Sequence, residues 1–159
     1  MFDTILVPLD GSPHAEAALP YAAAEARYHG AELVLLRVVL RPEPCLSEPS
    51  HGGPLPWRPS WPAAEIDAAK RQAAQYLARV IKHDHLPATT PLRVAVGDPY
   101  LRISIEAVQF RQPLVVMTTG DGTLSVRPPL REVPRRLMVA GAVPVLGVRH
   151  APPAIATAA

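Results

Sequence analysis

The hydrophobic positions of this chain follow two alternating patterns. Short segments that are apolar at most positions lie at residues 4–7, 31–39, 91–96, 114–117 and 143–148. Such segments are typical of strands buried on both faces of a parallel sheet. Segments with helical spacing or helix-capping residues separate them. The alternation predicts an α/β fold in which helices connect parallel strands by right-handed crossovers.

Two of the predicted helices lie in the first half of the chain. Ser12 and Pro13 form a helix start, because a serine oxygen can accept a free backbone N–H and proline is pre-set for the first turn. We expect this helix to run through residues 15–28 and to end at Gly30. Residues 63–82 have the clearest amphipathic spacing in the chain, and they predict a long helix.

Two further helices are predicted in the second half. Asp98 and Pro99 again combine a capping side chain with a first-turn proline. The apolar residues that favour a helix after them are Leu101, Ile105 and Val108. The alternation over residues 101–105 would also fit a strand, and the capping signal decides for the helix. The last helix covers residues 133–139 and ends at Gly141.

Composition indicates one globular domain, which we place at residues 1–150, followed by a loose tail at 151–159. The chain has 159 residues, of which 48% are hydrophobic, so it can bury an ordinary core. No apolar run approaches the roughly 18 residues that span a bilayer, and no cationic leader precedes the first strand. We therefore expect a cytoplasmic protein without membrane contact.

Charge and cysteine content exclude several classes of function. The net charge of +2 is too small to imply nucleic-acid binding. The single cysteine, Cys45, excludes a disulfide framework and a cysteine-cluster metal site. His83 and His85 flank an aspartate without further ligands nearby, and we expect helix-end cations rather than a metal site. Four arginines fall within ten residues and form either a solvated face or an anion site: Arg127, Arg131, Arg135 and Arg136.

A proline-rich loop at residues 41–62 interrupts the pattern. Prolines occupy seven of its positions, so it cannot form a regular helix or a central strand. It also carries Trp57 and Trp61, and we expect both indoles to pack against the body of the protein or against a partner chain.

The order and spacing of these segments resemble the universal stress proteins. The resemblance covers about residues 2–149, and its matching segments are ILVPLDGS at 5–12, AELVLLRV at 31–38, GDP at 97–99, LVVM at 114–117 and VPVL at 143–146. It implies a Rossmann-like α/β domain with an open, parallel, five-stranded sheet in the order 3-2-1-4-5 and helices on both faces. It also implies a homodimer in which the last strands, from Val143 to Val148, meet antiparallel.

One branch of that family has an ATP site without a dedicated catalytic apparatus. Carried over to this chain, the positions that hold adenine and ribose are Asp10 and Val38, with Pro8 alongside. Gly97 and Met117 are expected at the same carboxyl edge of the sheet. The resemblance therefore implies an adenine-nucleotide pocket on the residues that close the strands.

The family's phosphate loop is altered in this chain. Its pattern is glycine, two residues, glycine, nine residues, glycine and then serine or threonine, and these four positions hold Thr118, Asp121, Arg131 and Glu132. Glycines let backbone N–H groups curl around an anion, and the changes remove that freedom. Glu132 competes with an anion at the last helix, at about 4 kcal/mol per contact at 4 Å and a dielectric near 20. Arginine side chains could instead meet the phosphates.

Three functions remain open at this point. The first is a non-enzymatic stress-response homodimer with an altered or vestigial nucleotide pocket and a protein partner, which predicts weak or absent ATP binding. The second is an ATP-binding switch of the same family, with slow hydrolysis at most. The third, a catalytic α/β enzyme of another nucleotide-binding family, lacks support, because the chain has neither a Walker lysine motif nor a Gly-x-Ser-x-Gly elbow.

Overall fold

The computed structural model describes residues 1–40, 62–119 and 132–149. All five predicted strands are present, with bounds within two residues of the expected ones. They are β1 Thr4–Leu9, β2 Glu32–Val39, β3 Leu92–Val96, β4 Pro113–Thr118 and β5 Val145–Val148. All neighbours pair parallel in the order β3-β2-β1-β4-β5. The predicted fold class and strand order are confirmed.

Helices cover both faces of this sheet. They are α1 Pro13–Glu16, α2 Leu19–His29, α3 Ala63–His83, α4 Pro99–Val108 and α5 Val133–Ala140. Helices α2 and α3 pack on one face with Ile5, Val7 and Leu35. Helices α4 and α5 pack on the other face with Leu6 and Val115. Successive strand residues point to opposite faces, so the nearly continuous apolar runs of the sequence supply both cores.

The first helix is not continuous, which corrects the expectation of one helix through residues 15–28. It breaks at Ala17 and Ala18, between α1 and α2. Pro20 gives the physical reason. A continuous helix would need its N–H to donate to the Glu16 carbonyl, and proline has no N–H. At the first turn of a new helix the missing donor costs nothing, and this is where Pro20 lies.

Helix α4 forms where the capping signal predicts it, but its buried face differs from the expected one. Asp98 caps the helix by accepting a hydrogen bond from the Leu101 N–H at 2.9 Å. The side chains that face the sheet are Pro99, Ile103 and Ala107. The apolar residues from which the helix was predicted are exposed on the opposite side: Leu101, Ile105 and Val108.

The sheet ends in β3 on one side and in β5 on the other. Several predictions lie outside the described residues: those on the proline-rich segment 41–61, on Asp121, Arg127 and Arg131, and on the tail 151–159. Over residues 1–40, 62–119 and 132–149, no helix combines the length and the apolar character needed to cross a bilayer.

Candidate functional site

Asp10 lies in a tight turn that joins the carboxyl end of β1 to α1. Its Oδ1 accepts hydrogen bonds from the Ser12 N–H at 2.8 Å and from the Ser12 hydroxyl at 2.5 Å. The Ser12 hydroxyl oxygen in turn caps α1 by accepting from the Ala15 N–H at 3.1 Å. A carboxylate has about four lone-pair sites, so a ribose hydroxyl would have to use the remaining ones. Asp10 is thus in the predicted place, and half of its carboxylate is already engaged.

Arg37 covers this turn from the neighbouring strand. It lies beside Leu9 in the β1–β2 pairing and donates to the Leu9 carbonyl at 3.1 Å. A Cβ on Gly11 would lie 3.3 Å from both terminal guanidinium nitrogens of Arg37, and Gly11 has a φ of +84°. The positive φ favours glycine at this position, and a Cβ would require the Arg37 guanidinium to shift slightly.

Tyr76 on α3 connects this arginine to α1. The guanidinium carbon of Arg37 lies 5.3 Å from the Tyr76 ring centre, and the Tyr76 hydroxyl donates to Glu16 at 2.7 Å. Burial, followed by the interaction with Glu16, raises the pKa of Tyr76 well above its usual value, and the positive charge of Arg37 offsets part of the effect. This contact was not predicted from the sequence. Its one available signal was the charge of Arg37 inside an otherwise apolar strand.

Three predicted pocket residues lie side by side on the α4/α5 face of the sheet. Met117 belongs to the core of that face, Val38 packs against it, and both lie near the carboxyl ends of their strands. Pro8 is half-buried in β1 between them and has the same alternation as Leu6 on that face. These side chains form an apolar floor that suits the flat face of a base.

Gly97 closes β3 at the same edge. Its N–H donates to the Val39 carbonyl at 2.9 Å, and its φ is +135°, a conformation that favours glycine. A Cβ there would approach the Nε of Arg102 to 3.1 Å. That Nε donates to the Val96 carbonyl at 2.7 Å, so Arg102 holds the turn in place. Gly97 therefore shapes the strand-to-helix turn.

Among the described residues, the region where phosphates are expected offers few hydrogen-bond donors. Thr118 ends β4, and the next residue, Thr119, donates its N–H to the Val148 carbonyl at 2.8 Å. Glu132 occupies the N-cap position of α5, where its side chain makes no capping hydrogen bond. Pro134 lies in the first turn and has no N–H. The helix end that would meet an anion thus carries a carboxylate and lacks one of its usual donors.

The predicted site residues therefore fall into three groups. Pro8, Asp10, Val38, Gly97, Met117 and Thr118 all lie at the carboxyl edge of the sheet, each near the end of its strand or in the following turn. Glu132 lies at the start of α5. Asp121 and Arg131 lie outside the described residues. In the described parts of the chain, no group of three or more histidine, cysteine, aspartate or glutamate side chains could hold a metal ion.

The comparison with protein families agrees with the fold. The model of the universal stress protein family matches residues 1–149. The chain belongs to the universal stress protein family. Over 103 residues it is 35% identical to a universal stress protein of Thermus aquaticus, encoded in the 3′ region of the QAH/OAS sulfhydrylase gene, a match that covers 62% of this chain and 72% of that protein.

Solved structures of universal stress proteins share the fold. The protein UspA from Lactobacillus plantarum superposes with a TM-score of 0.65 at 22% identity, over 93% of this chain and 98% of that one. A universal stress protein in complex with cAMP superposes with a TM-score of 0.54 at 22% identity, over 94% and 98% of the two chains. At this level of identity the likeness establishes the fold, and the ligand belongs to that protein.

Proposed function

We propose that this protein is a non-enzymatic universal stress protein that acts as a cytoplasmic homodimer and binds ATP weakly or not at all. The observation that carries the proposal is the N-terminus of α5, where Glu132 holds the N-cap position and Pro134 removes a backbone donor. A triphosphate needs N–H groups and positive potential at such a helix end. The N-terminus of α5 supplies fewer free N–H groups and less positive potential.

Energetics support weak binding rather than a complete loss of the pocket. A micromolar dissociation constant corresponds to about 8 kcal/mol. A carboxylate in place of a hydroxyl at a helix N-terminus opposes an anion by about 0.3–1 kcal/mol when exposed, and by more when desolvated by the ligand. The apolar floor of Val38 and Met117 remains suited to a base. The balance favours contacts to the base and weakens those to the phosphates.

A non-enzymatic role is supported by the hydrogen bonds that the polar groups of the pocket already make within the protein. The Ser12 hydroxyl caps α1 while it donates to Asp10, so this pair stabilises a turn. A nucleophile would need a base that takes its proton and a free path to a substrate. We propose that signalling proceeds through binding to a protein partner.

The proposed dimer interface is the outer edge of β5. An edge strand presents unpaired backbone groups that can pair with another chain. Val145 and Leu146 are half-buried there, and β5 pairs with β4 on its inner side. A second copy added antiparallel along residues 143–148 would give an interface in which each strand meets its own copy, so assembly would close at two.

An ATP-binding switch is the second candidate. It is favoured by the complex of a universal stress protein of the same fold with cAMP, because that ligand has the adenosine part of ATP and only one phosphate. If the base and ribose carry most of the affinity here, the pocket would accept adenine nucleotides with little regard for the length of the phosphate chain.

Calorimetric titration of the purified protein with ATP and with cAMP at physiological ionic strength tests the proposal. We expect no binding of ATP tighter than about 10 μM. Tighter ATP binding, or adenine nucleotide that co-purifies with the protein, would contradict the first candidate and support the switch. Hydrolysis of ATP above the rate of a buffer blank would contradict the non-enzymatic role.

A further inference from the structure

Strand β3 forms the edge of the sheet opposite β5, and two hydrogen bonds show which of its backbone groups face β2. At the start of β3, the Pro91 carbonyl accepts from the Leu35 N–H at 3.0 Å. Past its end, the Gly97 N–H donates to the Val39 carbonyl at 2.9 Å. In a strand, alternate residues bond to one neighbour and the residues between them face the other side. The residues whose N–H and C=O groups point away from the sheet are therefore Leu92, Val94 and Val96.

Most of these outward backbone groups have no partner within the fold. The Val96 carbonyl accepts a hydrogen bond from Nε of Arg102 at 2.7 Å. Within residues 1–40, 62–119 and 132–149, no hydrogen bond joins the N–H or C=O of Leu92 or Val94. An edge strand with unpaired groups can accept a further strand, and strand addition is a recurring mode of peptide recognition. The edge of β3 therefore suits an extended peptide segment.

The sheet face that carries α3 is apolar beside this edge. Val94 packs against the core on that face, and Leu92, two residues before it, is 37% exposed. Helix α3 lies over β2 and β3 there. Directly opposite residues of neighbouring strands point to the same face, so a side chain added opposite Leu92 or Val94 would lie beside them and α3. An apolar side chain fits this position, because it would remove apolar surface from water.

The opposite face of the same edge is cationic. Arg93 points to this face and is exposed, and its guanidinium carbon lies 5.5 Å from the centre of the Phe110 ring. Among the described side chains, none forms an ion pair with Arg93. Opposite charges on neighbouring strands stabilise a strand pair. An acidic side chain therefore fits the position of an added strand beside Arg93.

We propose that the outer edge of β3 binds an extended segment of a partner protein in which apolar and acidic residues alternate. The proposal rests on the partner-binding role given under Proposed function, and it names the surface and the chemistry of that partner. A second copy of this chain fits less well. Two copies paired antiparallel around Val94 would bring their Arg93 side chains to diagonal positions on one face, about 7–8 Å apart. The like charges would oppose this pairing.

Fluorescence anisotropy with a labelled seven-residue peptide that alternates valine and glutamate tests the proposal. We expect the wild type to bind it with a dissociation constant below about 1 mM. Val94→Pro removes an outward N–H and no donor of the β2 pairing, so it should raise that constant about tenfold. Val94→Ala is the matched control, because it keeps the N–H. It should change the constant by no more than about twofold, and circular dichroism verifies the fold of both variants.

Charge reversal at Arg93 tests the choice of an acidic partner. Arg93→Glu should weaken binding of the glutamate peptide at least about threefold and should favour a peptide with lysine in place of glutamate. Arg27→Glu gives the same change in net charge from an exposed position on α2. It should leave both peptide affinities unchanged. Equal effects of the two variants would show that the peptide responds only to net charge and would contradict the proposal.

A further measurement leaves the protein unchanged. Methylation of the backbone nitrogens of either all valines or all glutamates blocks one edge of the peptide. One of these peptides should bind at least about tenfold more weakly than the other, because only alternate N–H groups face β3. Equal affinities, or no binding of the unmodified peptide at 1 mM, would overturn the proposal.

The same samples separate this proposal from the proposed function. Light scattering without peptide should give a dimer for the wild type and for Val94→Pro, because the proposed dimer uses β5. A dimer that Val94→Pro dissociates would assign the β3 edge to a second copy and contradict peptide binding there. ATP titration reports on the nucleotide pocket alone. A failure of peptide binding with unchanged ATP titration and dimer mass would therefore refute only the β3 site.

Discussion

The carboxylate of Glu132 lies 3.6 Å from Nη1 of Arg135, three residues further along α5. Both side chains are more than half exposed, so the pair contributes little to stability. Its importance is electrostatic. The contact pairs Arg135, one of the cations that could meet a phosphate, with a carboxylate at the helix N-terminus. The same glutamate thus opposes an anion by its own charge and by engaging a neighbouring arginine.

Replacement of Glu132 should therefore strengthen nucleotide binding. Glu132→Ser removes the charge, frees Arg135 and restores a hydroxyl at the N-cap position. We expect the ATP dissociation constant to fall about two- to fivefold, which is the equivalent of roughly 0.5–1 kcal/mol. The gain should be smaller for cAMP, which carries less charge. Titration calorimetry at low and at physiological salt measures both.

Glu65→Ser is a suitable control, because it removes a carboxylate from the first turn of α3, a helix N-terminus that is not part of the pocket. It should leave the ATP dissociation constant unchanged. If Glu132→Ser gives no gain either, the phosphates do not approach the N-terminus of α5, and arginines elsewhere would have to hold them.

The fold was predictable because its signals are local. Each strand is a short run that is apolar at most positions, and Ser12 and Asp98 cap the helices that follow two of them. The outward face of α4 was not predictable by the same means. Leu101 and Ile105 have the same spacing as Ile103 and Ala107, and only packing against the sheet decides which pair is buried.

The candidate site was predictable only where a short motif marks it. The turn at Asp10 and Gly11 belongs to such a motif, and the structure has it where it was expected. The contact between Arg37 and Tyr76 joins a strand to a helix across a long stretch of chain, so no local periodicity could indicate it. Pro134 was visible in the sequence, but its cost for anion binding depends on its position in the first turn of α5.

Gly147 in β5 should not tolerate a side chain. A Cβ there would lie 2.7 Å from the Met138 Cε and from the Thr119 Cγ2. The methionine methyl can move aside, whereas the β-branched threonine is stiff. We expect Gly147→Ala to lower the free energy of unfolding by about 1–3 kcal/mol in urea denaturation.

Thr119→Ser removes the clashing methyl and should restore part of this loss in the double variant. Gly141→Ala is the comparison for backbone strain alone, since Gly141 has a φ of +60° and open space around it. Its cost of about 1 kcal/mol should not respond to Thr119→Ser. Strict additivity of Gly147→Ala and Thr119→Ser would show that the close contact is not the cause.

Tyr76 should make stability depend on alkaline pH. Burial and the hydrogen bond to Glu16 raise its pKa in the folded protein above the value of about 10 in the unfolded chain. A raised pKa means that the contribution of Tyr76 is fully present below pH 10 and is lost as the pH rises above it. Tyr76→Phe should cost about 1–2 kcal/mol near neutral pH, and its difference from the wild type should shrink by about pH 11.

Urea denaturation at several pH values measures this difference, with Tyr28→Phe as the control for the loss of a hydroxyl from an exposed ring. The two variants should differ clearly near neutral pH. A constant gap between the wild type and Tyr76→Phe from neutral to alkaline pH would mean that the Tyr76 hydroxyl is not linked to folding.

The proposed dimer predicts different effects for substitutions in the two edge strands of the sheet. Charging β5 with Val145→Asp and Leu146→Lys would place ions in the apolar edge where a second copy is expected to pair. Light scattering at tens of micromolar protein should then shift from the mass of a dimer toward that of a monomer.

Leu92→Lys is the matched control, because β3 is the opposite edge strand and Leu92 is 37% exposed. This variant should stay dimeric. A monomeric wild type, or dissociation by Leu92→Lys but not by the β5 changes, would assign the interface elsewhere. Retention of the dimer in the β5 variant, with its fold intact by circular dichroism, would do the same.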